Sequence, residues 1–497
     1  MDHRRRFVRL SLLGERVKRP MRVRVLRMFF VPLIMALHGC VNIETVNTQL
    51  ADSGITPPAQ WHGENGSAGA VNVRWLDDFA DEPLAALVEE SLAGNLNLRA
   101  IAARAQVARA RATIAGAAHL PTLDLNGGAS RRGAPGSAAR SGSRNTSNSF
   151  DATLSAAWDV DLWDRLADTT RAAALDALSS EADLAAARQL LAANIARGWF
   201  NLVEASAQVA LGQETVANFR ENLAVVEDGF RSGLNIALDV RLERANLANA
   251  RSRLEALRRD RDAAVRTLEV QLGRYPAGQL DAGDVLPQLS TSIPSGLPAQ
   301  LLNRRPDLQA AQLRLSASDA RLAAALKNRL PDFTLTASGG LSSDTLSRLL
   351  DFDALLFAIA GQLAAPLLRG GALEAERELA RAQTLESLAA YAEAVLVAFR
   401  EVESALNAEL TLANQEGALR LAVVEARAAE ELALERYRAG LTGIITWLEA
   451  RRRAFETSSS LLSTNNQRIQ NRIALHLALG GDFGTRNATH AVHRGSP

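Results

Sequence analysis

Two short stretches decide the fold: Phe230-Arg-Ser-Gly-Leu-Asn235 and Tyr437-Arg-Ala-Gly-Leu-Thr442. Each closes a long Ala-rich helical pattern and is followed at once by another. Gly233 and Gly440 stand where a helix needs a residue that tolerates positive φ in order to stop. Asn235 and Thr442 hold the same register, and both types accept hydrogen bonds at the start of a returning helix. Aligned, the two stretches read as the tips of two helical hairpins, one in each half of the chain. Two unrelated helix stops would share Arg-x-Gly-Leu only by chance.

The flanking sequence argues against chance. Residues 97–126 align without a gap to residues 307–336. Leu98 matches Leu308, Arg104 matches Arg314, Arg111 matches Arg321, and Leu120-Pro121 matches Leu330-Pro331. Further on, Gly198-Trp199 pairs with Ala398-Phe399, and Phe230 with Tyr437. Trp199 lies 31 residues before Phe230 and Phe399 lies 38 before Tyr437, so the second half is longer there by one heptad. A coiled coil absorbs that insertion without rotating its seam. The chain therefore reads as a structural duplication, each half running helix, strand, polar loop, strand, very long helix, tip, helix.

The helices come first by length. No proline interrupts residues 162–231, a segment that would reach roughly 100 Å at ~1.5 Å per residue. Leu202, Val209, Val216, Leu223 and Phe230 recur every seven residues, with Phe219 and Val226 three beyond two of them, which is a coiled-coil seam. The return helix, residues 237–272, carries Leu247, Leu254 and Leu268 on the same repeat. Residues 374–437 and 444–479 repeat the pair.

The strands alternate. Thr122, Asp124, Asn126, Asp151, Thr153, Thr334, Thr336 and Gln362 mark polar faces. Leu123, Leu125, Phe150, Leu154, Trp158, Phe333, Leu335, Phe357 and Ile359 mark apolar ones. A half-buried soluble strand and a transmembrane barrel strand share this pattern. The N-terminus selects the barrel, with the apolar set toward lipid and the polar set toward a wet lumen. Arg22, Arg24 and Arg27 precede an apolar run from Met28 to Leu37 that ends Leu37-His38-Gly39-Cys40. That order resembles a bacterial lipobox with Cys40 as the lipidated residue, although His38 departs from the small or hydroxylated residue usual there, and Val41 after it fits an outer-membrane address. Four strands cannot close a barrel, and an open sheet edge cannot exist in hydrocarbon, so several chains must pool their strands.

Charge and chemistry narrow the role. The formal net charge is +1, but residues 1–39 alone carry a net +8, leaving the remainder acidic and unsuited to nucleic acid. Cys40 is the only cysteine, and the seven histidines are scattered without metal-ligand spacing. No phosphate loop, nucleophile elbow or zincin motif is present, so the chain reads as a non-enzyme without cofactor, and any transport must be powered by another protein.

The chain resembles the outer-membrane efflux proteins related to TolC, and within them the lipoprotein channels of the OprM and NodT-like group. The resemblance rests on Cys40, on Trp75…Phe79…Asp81-Glu-Pro83-Leu84, and on Asp159-Val-Asp-Leu-Trp163. It rests further on Leu297-Pro298…Leu301-Leu302-Asn-Arg304-Arg305-Pro306-Asp307-Leu308 and on Tyr437 to Leu441. It implies an α+β membrane protein: a homotrimer with a 12-stranded barrel, four strands per chain, continued by a periplasmic coiled-coil α-barrel. It also implies a passive exit duct working with a periplasmic adaptor and an inner-membrane pump of the resistance–nodulation–division class. The tips would form gate and docking ring through Arg231, Gly233, Leu234, Asp239, Arg438, Gly440, Leu441 and Thr442. One departure stands there, since Asp239 has only Thr446 opposite it. A type I secretion channel is the alternative within the fold, disfavoured by the lipobox. A lipid-anchored adaptor is the alternative in another class, disfavoured by two hairpins and paired amphipathic strands.

The expected layout has a lipoprotein signal peptide at 1–39, with Met21 as an alternative start, and a lipidated extended tether at 40–70. Repeat 1 spans 71–275, with β-hairpin 121–160 and tip 231–237. A connector covers 276–296. Repeat 2 spans 297–480, with β-hairpin 331–366 and tip 438–444, and residues 481–497 read as a disordered tail.

Overall fold

A computed structural model describes residues 48–63, 75–135, 144–289, 296, 298–351 and 355–481. The signal peptide, Cys40 and nearly all of the 481–497 tail lie outside them.

The chain opens with two helices, α1 (Glu82–Gly94) and α2 (Leu96–Ala117), where one continuous helix was expected. Asn95 makes the break. Its backbone is extended, its side chain accepts the Leu98 N–H at 2.9 Å, and its amide donates to the Gln271 carbonyl at 2.8 Å. Strands β1 (Thr122–Pro135) and β2 (Arg144–Val160) follow. Both run into the stretch expected to be a polar loop between Arg131 and Asn148, because the pairing is carried by backbone groups and continues from Arg131↔Asn148 to Pro135↔Arg144.

Next come α3 (Arg165–Arg231) and α4 (Ala237–Leu272). The second half supplies α5 (Pro298–Arg304), α6 (Pro306–Lys327), β3 (Asp332–Ser343), β4 (Leu355–Ala364), α7 (Ala372–Arg438) and α8 (Ile444–Ala478). The four strands form one antiparallel sheet in the order β1-β2-β3-β4, with β1 and β4 at its edges.

Helices α3 and α7 each contain 67 residues. The heptad added between Phe399 and its tip is thus matched by a heptad fewer before it. The seam of α3 holds along Leu202, Val209 and Val216, all buried, and fails at Phe230, which is 46% exposed. At the tip the seam passes to Val226, fully buried.

A collar forms around the middle of the long helices. On the first half, Trp75 and Phe79 are buried among Ile195, Trp199, Phe200 and Leu268. Asp81 serves twice, accepting the Leu84 N–H at 3.0 Å as cap of α1 and the Trp199 indole N–H at 2.8 Å. On the second half, Leu301, Leu308 and Leu315 pack against Val395, Val402 and Leu475. The tether segment is docked there: Thr48 donates to Asp319 through its N–H and its hydroxyl (both 2.8 Å), and the Trp61 ring meets the Phe399 ring edge-on at 6.0 Å.

Candidate functional site

The sheet separates its side chains as the alternation requires. Residues directly opposite across a ladder share a face. Leu125 faces Leu154, Ala129 faces Phe150, Trp158 faces Leu335, and Val160 faces Phe333. In the last ladder Phe333 faces Leu363, Ala337 faces Ile359 and Gly339 faces Phe357. All nine apolar residues named from sequence, Leu123 and Leu335 included, fall on one face. On the other lie Asp124 opposite Ser155, Asn126 opposite Thr153, Gly128 opposite Asp151, Thr336 opposite Ala157 and Thr334 opposite Gln362. The apolar face is bare in the single chain: Leu125, Phe357 and Ile359 are 77–82% exposed.

The Asp159-Val-Asp-Leu-Trp163 segment joins sheet to helix. Asp159 accepts the Thr334 hydroxyl at 2.8 Å, and Asp161 accepts the N–H groups of Arg165 and Ala167, both at 2.8 Å. Trp163 donates its indole N–H to the Pro331 carbonyl at 2.8 Å. A strand end, a helix start and the neighbouring strand are fastened by one pentapeptide. Arg305 of the Arg-Arg-Pro-Asp stretch performs a similar task in the collar. Its Nε and Nη2 bind Asp307 at 3.1 and 2.7 Å, and its Nη1 binds Glu401 at 2.6 Å. Although burial works against the charged carboxylate, this fork holds Asp307 below the usual carboxylate range.

Both tips close in one way. Gly233 (φ 74°) and Gly440 (φ 71°) are left-handed. Leu234 N–H reaches the Gly229 carbonyl at 2.8 Å and Leu441 N–H the Arg436 carbonyl at 2.9 Å, the six-residue closure of a Schellman motif. Beyond that the tips differ, and neither Asn235 nor Thr442 caps the returning helix as expected. The caps are Ile236 and Gly443. Asn235 tucks against Gly229, donates to the Val226 carbonyl at 3.2 Å and accepts the Tyr437 hydroxyl at 3.3 Å, linking tip to tip. The Thr442 hydroxyl is buried with no partner among the described residues. Asp239 accepts the Ile236 N–H at 3.4 Å, so its carboxylate faces the start of α4. Arg231 pairs with Asp228 at 3.2 Å. Leu234 (83% exposed) and Leu441 (74%) project bare at the ends. Arg438, in the last turn of α7, is also exposed.

Behind the tips the hairpins share a small core, Val226 and Val240 against Ala433, Ile444 and Trp447. The Trp447 ring stacks on Tyr437 at 5.4 Å. One turn beyond Trp447 along α8 sits a charge cluster that sequence reading missed. Arg451 donates to Glu243 at 3.3 Å and lies 3.8 Å from Glu430, its guanidinium 4.1 Å from the Phe219 ring and 4.3 Å from that of Trp447. Burial pushes the Glu243 and Glu430 carboxyls up, with Arg451 pulling the other way in both, and burial lowers Arg451. A signal existed. Glu243 lies three residues beyond Val240 in the α4 heptad, and Arg451 four beyond Trp447 in α8, each a charge at a seam position.

A family model described as outer membrane efflux protein matches residues 87–274 and 297–481, which takes in both tips, all four strands and the collar residues from Leu87 onward. The chain belongs to the outer membrane efflux protein family. It is 32% identical over 468 residues to the pyoverdine export outer membrane protein OpmQ of Pseudomonas putida (strain KT2440), covering 92% of this chain and 98% of that one. To the cation efflux system protein CusC of Escherichia coli (strain K12) it is 28% identical over 457 residues, 90% of this chain and 98% of the other. Among solved structures, the open state of the Neisseria gonorrhoeae MtrE outer membrane channel superposes with a TM-score of 0.79 at 26% identity, covering 90% of this chain and all of that one. Membership makes the chain an efflux duct of the outer membrane, in a family of channels rather than enzymes.

Proposed function

We propose that three copies pool their strands into a 12-stranded barrel, with the nine apolar residues toward lipid and the polar set lining the lumen. The observation that carries this reading is the two-faced sheet with unpaired edges at β1 and β4. In hydrocarbon each unpaired backbone group costs several kcal/mol, so the edges must meet edges of other copies. The paired hairpins continue the barrel into the periplasm as an α-helical tunnel, because helices of ~100 Å exceed any bilayer. A lipid on Cys40 tethers the assembly, and the docked segment from Thr48 to Trp61 carries that tether onto the collar.

In this reading the duct is passive. It exports drugs or other small molecules when a periplasmic adaptor seats on the tips, on Leu234 and Leu441 with Arg231 and Arg438, and an inner-membrane pump supplies the energy. Gly233 and Gly440 fix the tip shape, and Asp239 and Thr442 stand at the gate.

Cys40 is the only native cysteine, so introduced thiols report cleanly once it is lipidated. In whole cells Asn126→Cys and Thr336→Cys react with a membrane-impermeant maleimide, and Leu125→Cys and Leu335→Cys do not. Labelling of all four alike would exclude the barrel.

A further inference from the structure

A crevice of about 520 Å³ opens between the two hairpins, further from the tips than the Trp447 core. Its volume lies in the range of small-molecule sites, roughly 300–1,000 Å³. Helices α3, α4, α7 and α8 all contribute to it, and its apolar wall includes Leu211, Leu254, Leu257, Leu448 and Phe455. Its open polar group is Arg451. That side chain is buried; its only hydrogen bond runs from Nη1 to Glu243, and Nε has Glu430 at ion-pair distance, 3.8 Å. Nε and Nη2 make no hydrogen bond among the described residues. These two N–H groups share one edge of the guanidinium plane, the edge that receives a carboxylate with both oxygens at once. A buried donor pair without an acceptor is a cost that a ligand removes on binding.

We propose that the crevice binds an amphipathic monocarboxylate, its apolar body against Leu254, Leu257 and Phe455 and its carboxylate on Nε and Nη2 of Arg451. The other charges around the crevice leave this edge free. Glu449 is held by Arg452 and Arg453, and Arg253 lies over the Phe455 ring at 4.8 Å. Glu430 approaches Nε only to 3.8 Å. Burial raises its pKa, with Arg451 pulling the other way. Because the lining comes from both hairpins, an occupant holds them in their present arrangement.

The test uses the full-length protein in lipid nanodiscs, titrated calorimetrically with 2-naphthoate and, separately, with uncharged 2-naphthylmethanol. The acid saturates one site per chain, and the alcohol binds at least tenfold more weakly. Arg451→Gln weakens the acid at least tenfold. Asn249→Trp blocks the crevice rim and abolishes saturable binding while leaving the Arg451–Glu243 pair intact. Equal binding of acid and alcohol overturns the proposal as partition into lipid. So does wild-type affinity in Arg451→Gln, and so does wild-type affinity in Asn249→Trp whatever the fate of the arginine variant.

Discussion

Arg305 and Arg451 are both buried arginines where several helices meet, yet their surroundings differ. Arg305 spends its fork on Asp307 and its remaining terminus on Glu401 and the Ala478 carbonyl. Arg451 has one long bond to Glu243, Glu430 at 3.8 Å, two aromatic rings beside it and two N–H groups that make no hydrogen bond among the described residues. A satisfied buried charge network fixes an arrangement, whereas a half-satisfied one stabilises it weakly. The collar is thus held by more polar contacts than the hairpin joint. If the proposed duct opens at its tips, this difference predicts motion beyond Arg451 and a fixed collar at Arg305.

The largest expected break is Trp447→Ala. It empties the centre of the joint and costs about 3–5 kcal/mol. Hydrogen exchange of the α4 and α8 amides next to the tips should rise accordingly, while the collar amides stay protected. Loss of protection along the whole chain would mean that joint and collar are one unit.

Arg451→Leu comes next, because it leaves the buried Glu243 carboxylate with only the long Asn246 bond at 3.5 Å, at about 3 kcal/mol near neutral pH. The pH dependence sharpens the comparison. Glu243 has a raised folded pKa, so the folded chain holds more protons than the unfolded one between the ordinary value of 4.5 and the raised one. The joint therefore loses stability as pH rises through that window, and the cost of Arg451→Leu shrinks as pH falls. Asp307 has a lowered folded pKa, so the collar is stable above the ordinary carboxylate range and loses stability as pH falls through it. Protection factors, taken relative to the intrinsic exchange rate at each pH, should rise in the joint as pH falls toward 4.5 and fall in the collar as pH drops below 3.8. Parallel movement contradicts the assignment.

Gly440→Ala is the smallest break. Open space surrounds the missing Cβ, so only the left-handed backbone opposes the methyl, at about 1–2 kcal/mol. A loss confined to tip protection is expected, equal in Gly233→Ala because the two closures match.

The features legible in the sequence are those with a period. Helix length, the heptad seam to Val216 and the nine-residue apolar face all follow from repeats of seven and two. What escaped depends on contacts between distant segments. Nothing local distinguishes Arg451 from the solvated Arg452 and Arg453 beside it; only its place in the α8 seam does. Asn235 sits where a helix cap belongs, but Tyr437, 202 residues away, offers its side chain a better partner. The strands outran their apolar alternation because backbone pairing needs no side-chain pattern, so Arg131 to Pro135 joined a ladder that Gly, Ser and Arg do not announce. The match of Trp199 with Phe399 shows the limit of the repeat itself: sequence comparison found the extra heptad after Phe399, and only the equal 67-residue helices reveal the heptad missing before it.

We propose that the duct is sealed at its hairpin joint and held fixed at its collar. Single-channel conductance of the full-length trimer in planar bilayers tests it most directly. Wild type should conduct weakly at pH 7, Trp447→Ala several-fold more, and Arg305→Leu like wild type with its trimer intact. Equal conductance in wild type and Trp447→Ala, or a gain in Arg305→Leu as large as in Trp447→Ala, would contradict it.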